Sequence, residues 1–403
     1  MTKKGTLVAI FALLTVSART VRAEDLIVTY AGAVALARNA AHDLRVARGR
    51  EVVARSEIRV AGTYPNPTFI VGTSTQAARF SAAGSVPLVI LGQRGAAEDA
   101  SKAELATVQV DSEASWSDVK VRVERAFIAL WRAEELAKER SSAASLARRL
   151  EDLVQGRVDL GAAPDIELLR IKAERLRAEA DFGEAEQAVL SAASDLGRFF
   201  GKKDGGRIRT QGGLSVPERA PTLDALLARV GGNPLVRREE ADAMAAEARV
   251  RREKALIRPM LTLELGVETM DPTLPANNYR GQLSIEMPLF NQRGGQIERE
   301  RSLAALARSR GDVAAAQLVS ELSSAYRLFE AMSARSKSLE MGVIPAANAA
   351  AKATEESYTL GRAQLFAVLD AARLQIEANV SLREAQAARA MAWAEIERVA
   401  GSP

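Results

Sequence analysis

The chain has no cysteine and a single histidine, His42, among its 403 residues. Those absences exclude a disulfide framework, Cys/His zinc sites, cysteine nucleophiles and most histidine-based acid–base chemistry. Aromatic residues are only 4% of the total. No later stretch reaches about 18 consecutive apolar residues, so no transmembrane helix is expected. A basic excess is missing too. The sequence carries 55 Lys+Arg against 51 Asp+Glu, but Lys3, Lys4, Arg19 and Arg22 fall within the first 23 positions, where there is no acid. The remainder balances at 51 to 51, which leaves no surplus to drive phosphate or nucleic-acid binding. There is no Walker-type phosphate loop, and no pair of carboxylates stands out from the others. We therefore expect no enzyme, no cofactor and no metal site in this chain.

What is present begins with a leader. Lys3 and Lys4 precede the apolar run Leu7 to Val16, and Val21-Arg22-Ala23 closes it. This is the layout of a signal peptide over 1–23, cleaved before Glu24. Ten helical residues rise only about 15 Å, half of a hydrocarbon core, so a membrane anchor is the weaker reading.

The chain then repeats itself at a spacing near 200. Gly161 answers Gly361, Leu169 answers Leu369, Ala185 answers Ala385 and Gly201 answers Gly401. Farther upstream, Val86-Pro87-Leu88 answers Met287-Pro288-Leu289 with a slight drift. Landmarks in a fixed order indicate one structural unit duplicated. The first unit covers 24–201 and the second 222–403. A connector over 202–221, rich in glycine at Gly205-Gly206 and Gly212-Gly213, is expected to lie in a belt around the middle of the molecule.

Each unit reads as helix, two strands, long helices. The opening helices are expected over 29–62 and 222–258, each ending near a proline. Leu261, Leu263, Leu265 and Val267 alternate with Thr262, Glu264, Gly266 and Glu268, the period of a strand with one apolar face. Asp271-Pro272 and Asn277-Asn278 supply turn chemistry, giving a hairpin at about 261–289. A less regular alternation places the first hairpin at about 68–91. Ala97 to Gln155 contains neither glycine nor proline, and a helix of that length spans about 89 Å. Val119, Val123, Phe127 and Leu130 mark its apolar stripe. After Gly361, residues Leu365, Leu369, Ile376, Val380, Ala387 and Met391 follow a heptad seam. Bends or breaks are expected at Gly311, and at Gly342 with Pro345.

The fold class is thus α+β with four strands per chain. Four strands cannot close a barrel, and lipid does not tolerate open sheet edges. Strands that cross a membrane would have to be pooled with other copies, and a trimer supplies twelve. The alternative is an exported coiled-coil scaffold whose strands form a small soluble subdomain. Glu264, Glu268 and Glu286 suit a wet lumen or open solvent equally.

The sequence resembles the TolC-like outer-membrane efflux proteins, the exit ducts of tripartite pumps, over nearly the whole mature chain. The motifs that carry the likeness are Gly156-Arg-Val-Asp-Leu-Gly161 with Ile166–Leu169, and Tyr358-Thr-Leu-Gly-Arg362 with Val368-Leu369-Asp370-Ala371. Pro65-Asn66-Pro67 and the Gln-Arg pairs opening each long helix also match. The branch it looks most like serves heavy-metal pumps of the cobalt-zinc-cadmium type, though drug and type I protein-secretion ducts share these motifs. The resemblance implies a homotrimer with a twelve-stranded outer-membrane barrel and a helical tunnel in the periplasm. It also implies two partners, a periplasmic adaptor and an inner-membrane pump. Leu160, Gly161, Ala162, Leu360, Gly361 and Arg362 would touch the adaptor. Tyr358, Asp370, Glu167 and Arg362 would form the gate, with Asp370 on an acidic ring. Turn chemistry alone would also account for the glycines, and Asp370 could be a solvated charge paired with Arg373. Ala363 and Ala367 stand where the best-known member has arginine and aspartate, so the gate network must differ here.

Overall fold

The computed structural model describes residues 26–73, 75, 80–201, 207–269 and 277–401. The leader, the Asp271-Pro272 turn and the Asp204-Gly205-Gly206 part of the connector lie outside the described residues.

The chain opens with strand β1 (Leu26–Val28), then helices α1 (Tyr30–Ala40) and α2 (His42–Ala61). Thr29 caps α1, its hydroxyl accepting from the Gly32 N–H at 3.1 Å. The single helix expected over 29–62 is thus two helices, because Ala41 is extended at φ −60°, ψ 129°. The change of direction lets Ala33 and Ala37 on α1 and Leu44 and Ala47 on α2 all be buried. Strands β2 (Thr68–Thr73) and β3 (Phe80–Leu88) follow, then α3 (Gln93–Asp159). Its 67 residues span about 100 Å. After α4 (Asp165–Gly197) come β4 (Ile208–Thr210), α5 (Leu223–Leu227) and α6 (Pro234–Ala255).

The second opening helix is likewise interrupted. Between α5 and α6 a 3-10 turn covers Val230–Gly232, and the chain restarts at Asn233-Pro234. Asn233 Oδ1 accepts from the Leu235 N–H at 2.9 Å, while its amide donates to the Val399 carbonyl at 2.9 Å. The restart is therefore tied to the end of the chain's last helix. Strands β5 (Met260–Thr269) and β6 (Asn277–Glu286) lead into α7 (Gly294–Ser338), α8 (Ile344–Thr359) and α9 (Leu365–Ala400). No break occurs at Gly311. α7 continues through it, and Gly311 is buried against α6, where an added Cβ would meet Glu239 Cβ at 3.5 Å. At Gly342 and Pro345 the helix does change register, through a π turn over Leu339–Val343. That turn accommodates the N–H proline lacks.

β1 and β4 pair in parallel, Leu26 opposite Ile208, a contact the sequence reading did not anticipate. The Thr210 N–H also reaches the Glu134 carboxylate on α3 at 3.2 Å, which fixes the connector partway along the long helix. The stripe Val119, Val123, Phe127 and Leu130 forms the centre of the largest buried cluster, with Ile128, Leu196 and Ile208. A second cluster joins Leu226, Leu318, Leu322 and Trp393. Alanines dominate the contact faces of α6 and α9, and small side chains allow close helix approach.

The other four strands form one antiparallel sheet in the order β2-β3-β5-β6. Its register sorts every residue by face. Phe69 pairs with Gly84, Gly84 with Leu265, and Leu265 with Gly281. Along with them, Val71, Phe80, Val86, Leu263, Val267, Tyr279, Leu283 and Ile285 share one face, which carries no charge. Phe69 is 79% exposed and Tyr279 80%, so among the described residues nothing covers that face on the two outer strands. All the strand charges lie on the opposite face: Glu264, Glu268, Glu286 and Arg280. Arg280 bridges Glu264 at 3.1 Å and Glu268 at 3.3 Å.

Two tight junctions turn the sheet into helices. Gly92 takes φ +88° ahead of α3, and Arg293 takes φ +54° ahead of α7. Arg293 is held there by its N–H on Asn291 Oδ1 at 3.1 Å and its Nε on buried Glu253 at 2.6 Å. Burial would raise the Glu253 pKa, but hydrogen bonds from Arg252 and Arg293 outweigh it and bring the pKa below the ordinary value.

Candidate functional site

At the far end of α3 from the sheet, two helical hairpins turn side by side. Leu160-Gly161-Ala162 joins α3 to α4, and Leu360-Gly361-Arg362 joins α8 to α9. Both turns close the same way. The Gly161 N–H bonds the Val158 carbonyl at 2.8 Å and the Ala162 N–H bonds that of Arg157 at 2.8 Å. Two hundred residues on, Gly361 N–H bonds Tyr358 at 2.9 Å and Arg362 N–H bonds Ser357 at 2.8 Å. This is the Schellman closure, which needs a left-handed residue after the helix. Gly161 at φ +68° and Gly361 at φ +71° supply it.

Below the turns, Leu150, Val154, Ile171, Tyr358, Leu365 and Val368 make a small buried core. Above them the surface is apolar and uncovered, with Leu160 84% and Leu360 67% exposed. Gly161, Ala162, Gly361 and Arg362 are exposed with them. The six residues expected at the tips are therefore adjacent and accessible.

Of the four residues expected at the gate, two touch. Tyr358 is 1% exposed, and its hydroxyl donates to Glu167 Oε2 at 2.9 Å. Burial, and then the hydrogen bond to a carboxylate, push the phenol up to about 12. Asp370 is exposed on α9. Arg373, its expected partner, gives its guanidinium to Glu174 at 2.8 Å and feels Asp370 as a weaker attraction. Arg362 is exposed, and its side chain has no ion pair among the described residues.

Sequence reasoning missed Arg157. From the last turn of α3 its guanidinium donates to the Tyr358 carbonyl on α8 and, at 3.2 Å, to the Ala162 carbonyl in the first turn. It also lies over the Tyr358 ring, 4.4 Å from the centroid. Its only signal was its place within the Gly156–Gly161 motif. In one chain rich in arginine, that did not set it apart.

No protein-family model matches the sequence, and no curated protein matches it. Solved structures do. The chain is similar to a membrane protein from Pseudomonas aeruginosa, at 16% identity and a TM-score of 0.75, covering 92% of this chain and 93% of that one. It is similar to the outer membrane protein VceC from Vibrio cholerae, at 16% identity and 0.73, covering 93% and 96%. It is also similar to the MtrE outer membrane channel of Neisseria gonorrhoeae in its open state, at 17% identity and 0.70, covering 93% and 89%. The chain has the fold of these proteins: mostly helical, with a small antiparallel sheet.

Proposed function

We propose that this chain is one subunit of a TolC-like exit duct in the outer membrane. It conducts substrate passively from periplasm to exterior and has no enzymatic role. The observation that carries this reading is the sheet. One face is uncharged and largely apolar across all four strands, the opposite face carries every strand charge, and among the described residues the outer edges of β2 and β6 are unpaired. A lipid-facing band and a wet lumen need that division. Three copies pooling four strands each remove the edges in a barrel of twelve. The ten-residue strands β5 and β6 are long enough to cross at a tilt. The two units are then a duplication, and the identical turn geometry two hundred residues apart supports it.

On this reading α3 and its neighbours form a periplasmic tunnel. An adaptor docks at the tips through Leu160, Gly161, Ala162, Leu360, Gly361 and Arg362. The constriction is made by Tyr358 with Glu167, and by Asp370 and Arg362 near the symmetry axis. An inner-membrane pump supplies energy. Heavy-metal cations are the proposed cargo, from the sequence resemblance. The three acids against one arginine on the polar face of the sheet suit a cationic cargo.

The test is membrane fractionation of the mature protein, followed by its mass in mild detergent. A trimer in the outer-membrane fraction is the expected result. A soluble monomer would overturn the reading and leave the sheet as a subdomain on a coiled-coil scaffold.

A further inference from the structure

The two turns share a backbone but not their side chains. At the positions two hundred apart, the first turn has Arg157 where the second has Ser357, and the second has Tyr358 where the first has Val158. These two departures are the residues that meet. α3 and α8 both end here, and the carbonyls of a helix's last turn lack intrahelical partners and carry the negative end of its dipole. Arg157 sits between the two ends. One arm of its guanidinium serves the Tyr358 carbonyl, and another serves Ala162, beyond the end of its own helix. Its guanidinium carbon lies over the Tyr358 ring. An added Cβ at Gly361 would meet Arg157 at 3.9 Å, so the cation reaches the second turn. Tyr358 in turn holds α4 through Glu167. The path Ala162–Arg157–Tyr358–Glu167 thus links the first turn with α3, α8 and α4.

We propose that Arg157 is a positioning residue that fastens the two tips of each chain to one another at the spacing seen here. A planar fork can serve two carbonyls and a ring face at once, whereas a lysine ammonium acts as a single point charge. The fastening is a property of one chain.

The chain has no cysteine, so Leu160→Cys with Leu360→Cys places one spin label on each exposed tip. Full-length protein is reconstituted in lipid with excess unlabelled subunits, and the label distance within one chain is measured well below the melting temperature. With Arg157 intact, a single narrow distance is expected. Arg157→Gln should broaden it and raise the separated population about tenfold, the equivalent of one net hydrogen bond to a charged group. Arg157→Lys should broaden it less. An unchanged narrow distance in assembled Arg157→Gln overturns the proposal. If that variant does not assemble, Arg157→Lys decides, and a distance as narrow as the parent's is the refuting result. A purely structural role would lower the melting temperature without changing the native distance. The same samples in planar bilayers separate the two readings: no conductance from any of them would defeat the duct, while the label distance still decides the clamp.

Discussion

Replacing Glu124 with glutamine should stabilise the protein near pH 8 and leave it nearly unchanged near pH 4. Glu124 lies on α3 within the largest core cluster, 1% exposed, with Oε2 lacking any hydrogen-bond partner. Its nearest cation, Lys120, stands 3.6 Å away but is closer to Glu397, at 2.9 Å. Glu397 also accepts from Trp393 Nε1 at 2.9 Å. Two carboxylates therefore compete for one ammonium in an apolar setting. Burial is the main force raising the Glu124 carboxyl from 4.5 to about 7; Lys120 opposes it and Glu397 adds to it. A carboxyl with a raised pKa binds its proton more tightly when folded. Its favourable contribution is complete below 4.5, shrinks as pH rises, and is gone above about 7. The difference amounts to about 3 kcal/mol. With an unfolding entropy near 0.8 kcal/mol/K for a chain of this size, the melting temperature should rise by about 4 °C at the higher pH. Thermal unfolding of the detergent-solubilised protein, followed by far-UV circular dichroism at both pH values, reads this directly. A loss of stability at pH 8 would show that Glu124 is ionised and well paired, an equal gain at both would show that it does not change its protonation between them, and in either case the reasoning would fail.

Three further outcomes are expected. Leu265→Arg, on the apolar face of the sheet, should cost about 2–4 kcal/mol and abolish membrane insertion, whereas Gln282→Arg on the polar face should insert normally; fractionation of the two variants compares them. Gly361→Ala forces a side chain into φ +71°, so about 1–2 kcal/mol of strain should loosen the second turn, seen as faster amide exchange at residues 360–363 than in the parent. Asp370→Ala should alter single-channel conductance or its block by divalent cations, and no change in either would remove Asp370 from the gate.

The features legible in the sequence were those written in local pattern. Val119, Val123 and Phe127 recur at helical spacing and are fully buried. Leu261, Leu263 and Leu265 alternate and share a face. Gly161 and Gly361 sit where a helix must turn back. The restart at Asn233-Pro234 was legible too, as a cap followed by a first-turn proline, but an unbroken helix was drawn through it. Ala41 gave no such warning, since alanine favours the helix it interrupts and the packing of α1 and α2 on α3 overrides that preference. Gly311 erred in the other direction: a residue that weakens an isolated helix lies within an unbroken one, in close contact with α6. The β1–β4 pair has only three residues per strand, too few for a period. The strand charges were uninformative one by one. Only the register showed that all of them fall on one side. Arg157 depends on a contact with a residue 201 positions away, which local pattern cannot reveal.

The four-stranded sheet has its seam between β3 and β5, where the hairpin of one unit meets the hairpin of the other. In the proposed trimer, β6 of one subunit would meet β2 of the next along an equivalent seam. The ring is then six hairpins, and six separate half-length subunits could close it. Fusing them in pairs lowers the symmetry from sixfold to threefold. A sixfold tip must repeat every contact at all six seams, so it could not confine an arginine–tyrosine contact to alternate ones. Fusion gives each turn a neighbour that can differ from it, and permits a latch at every second seam.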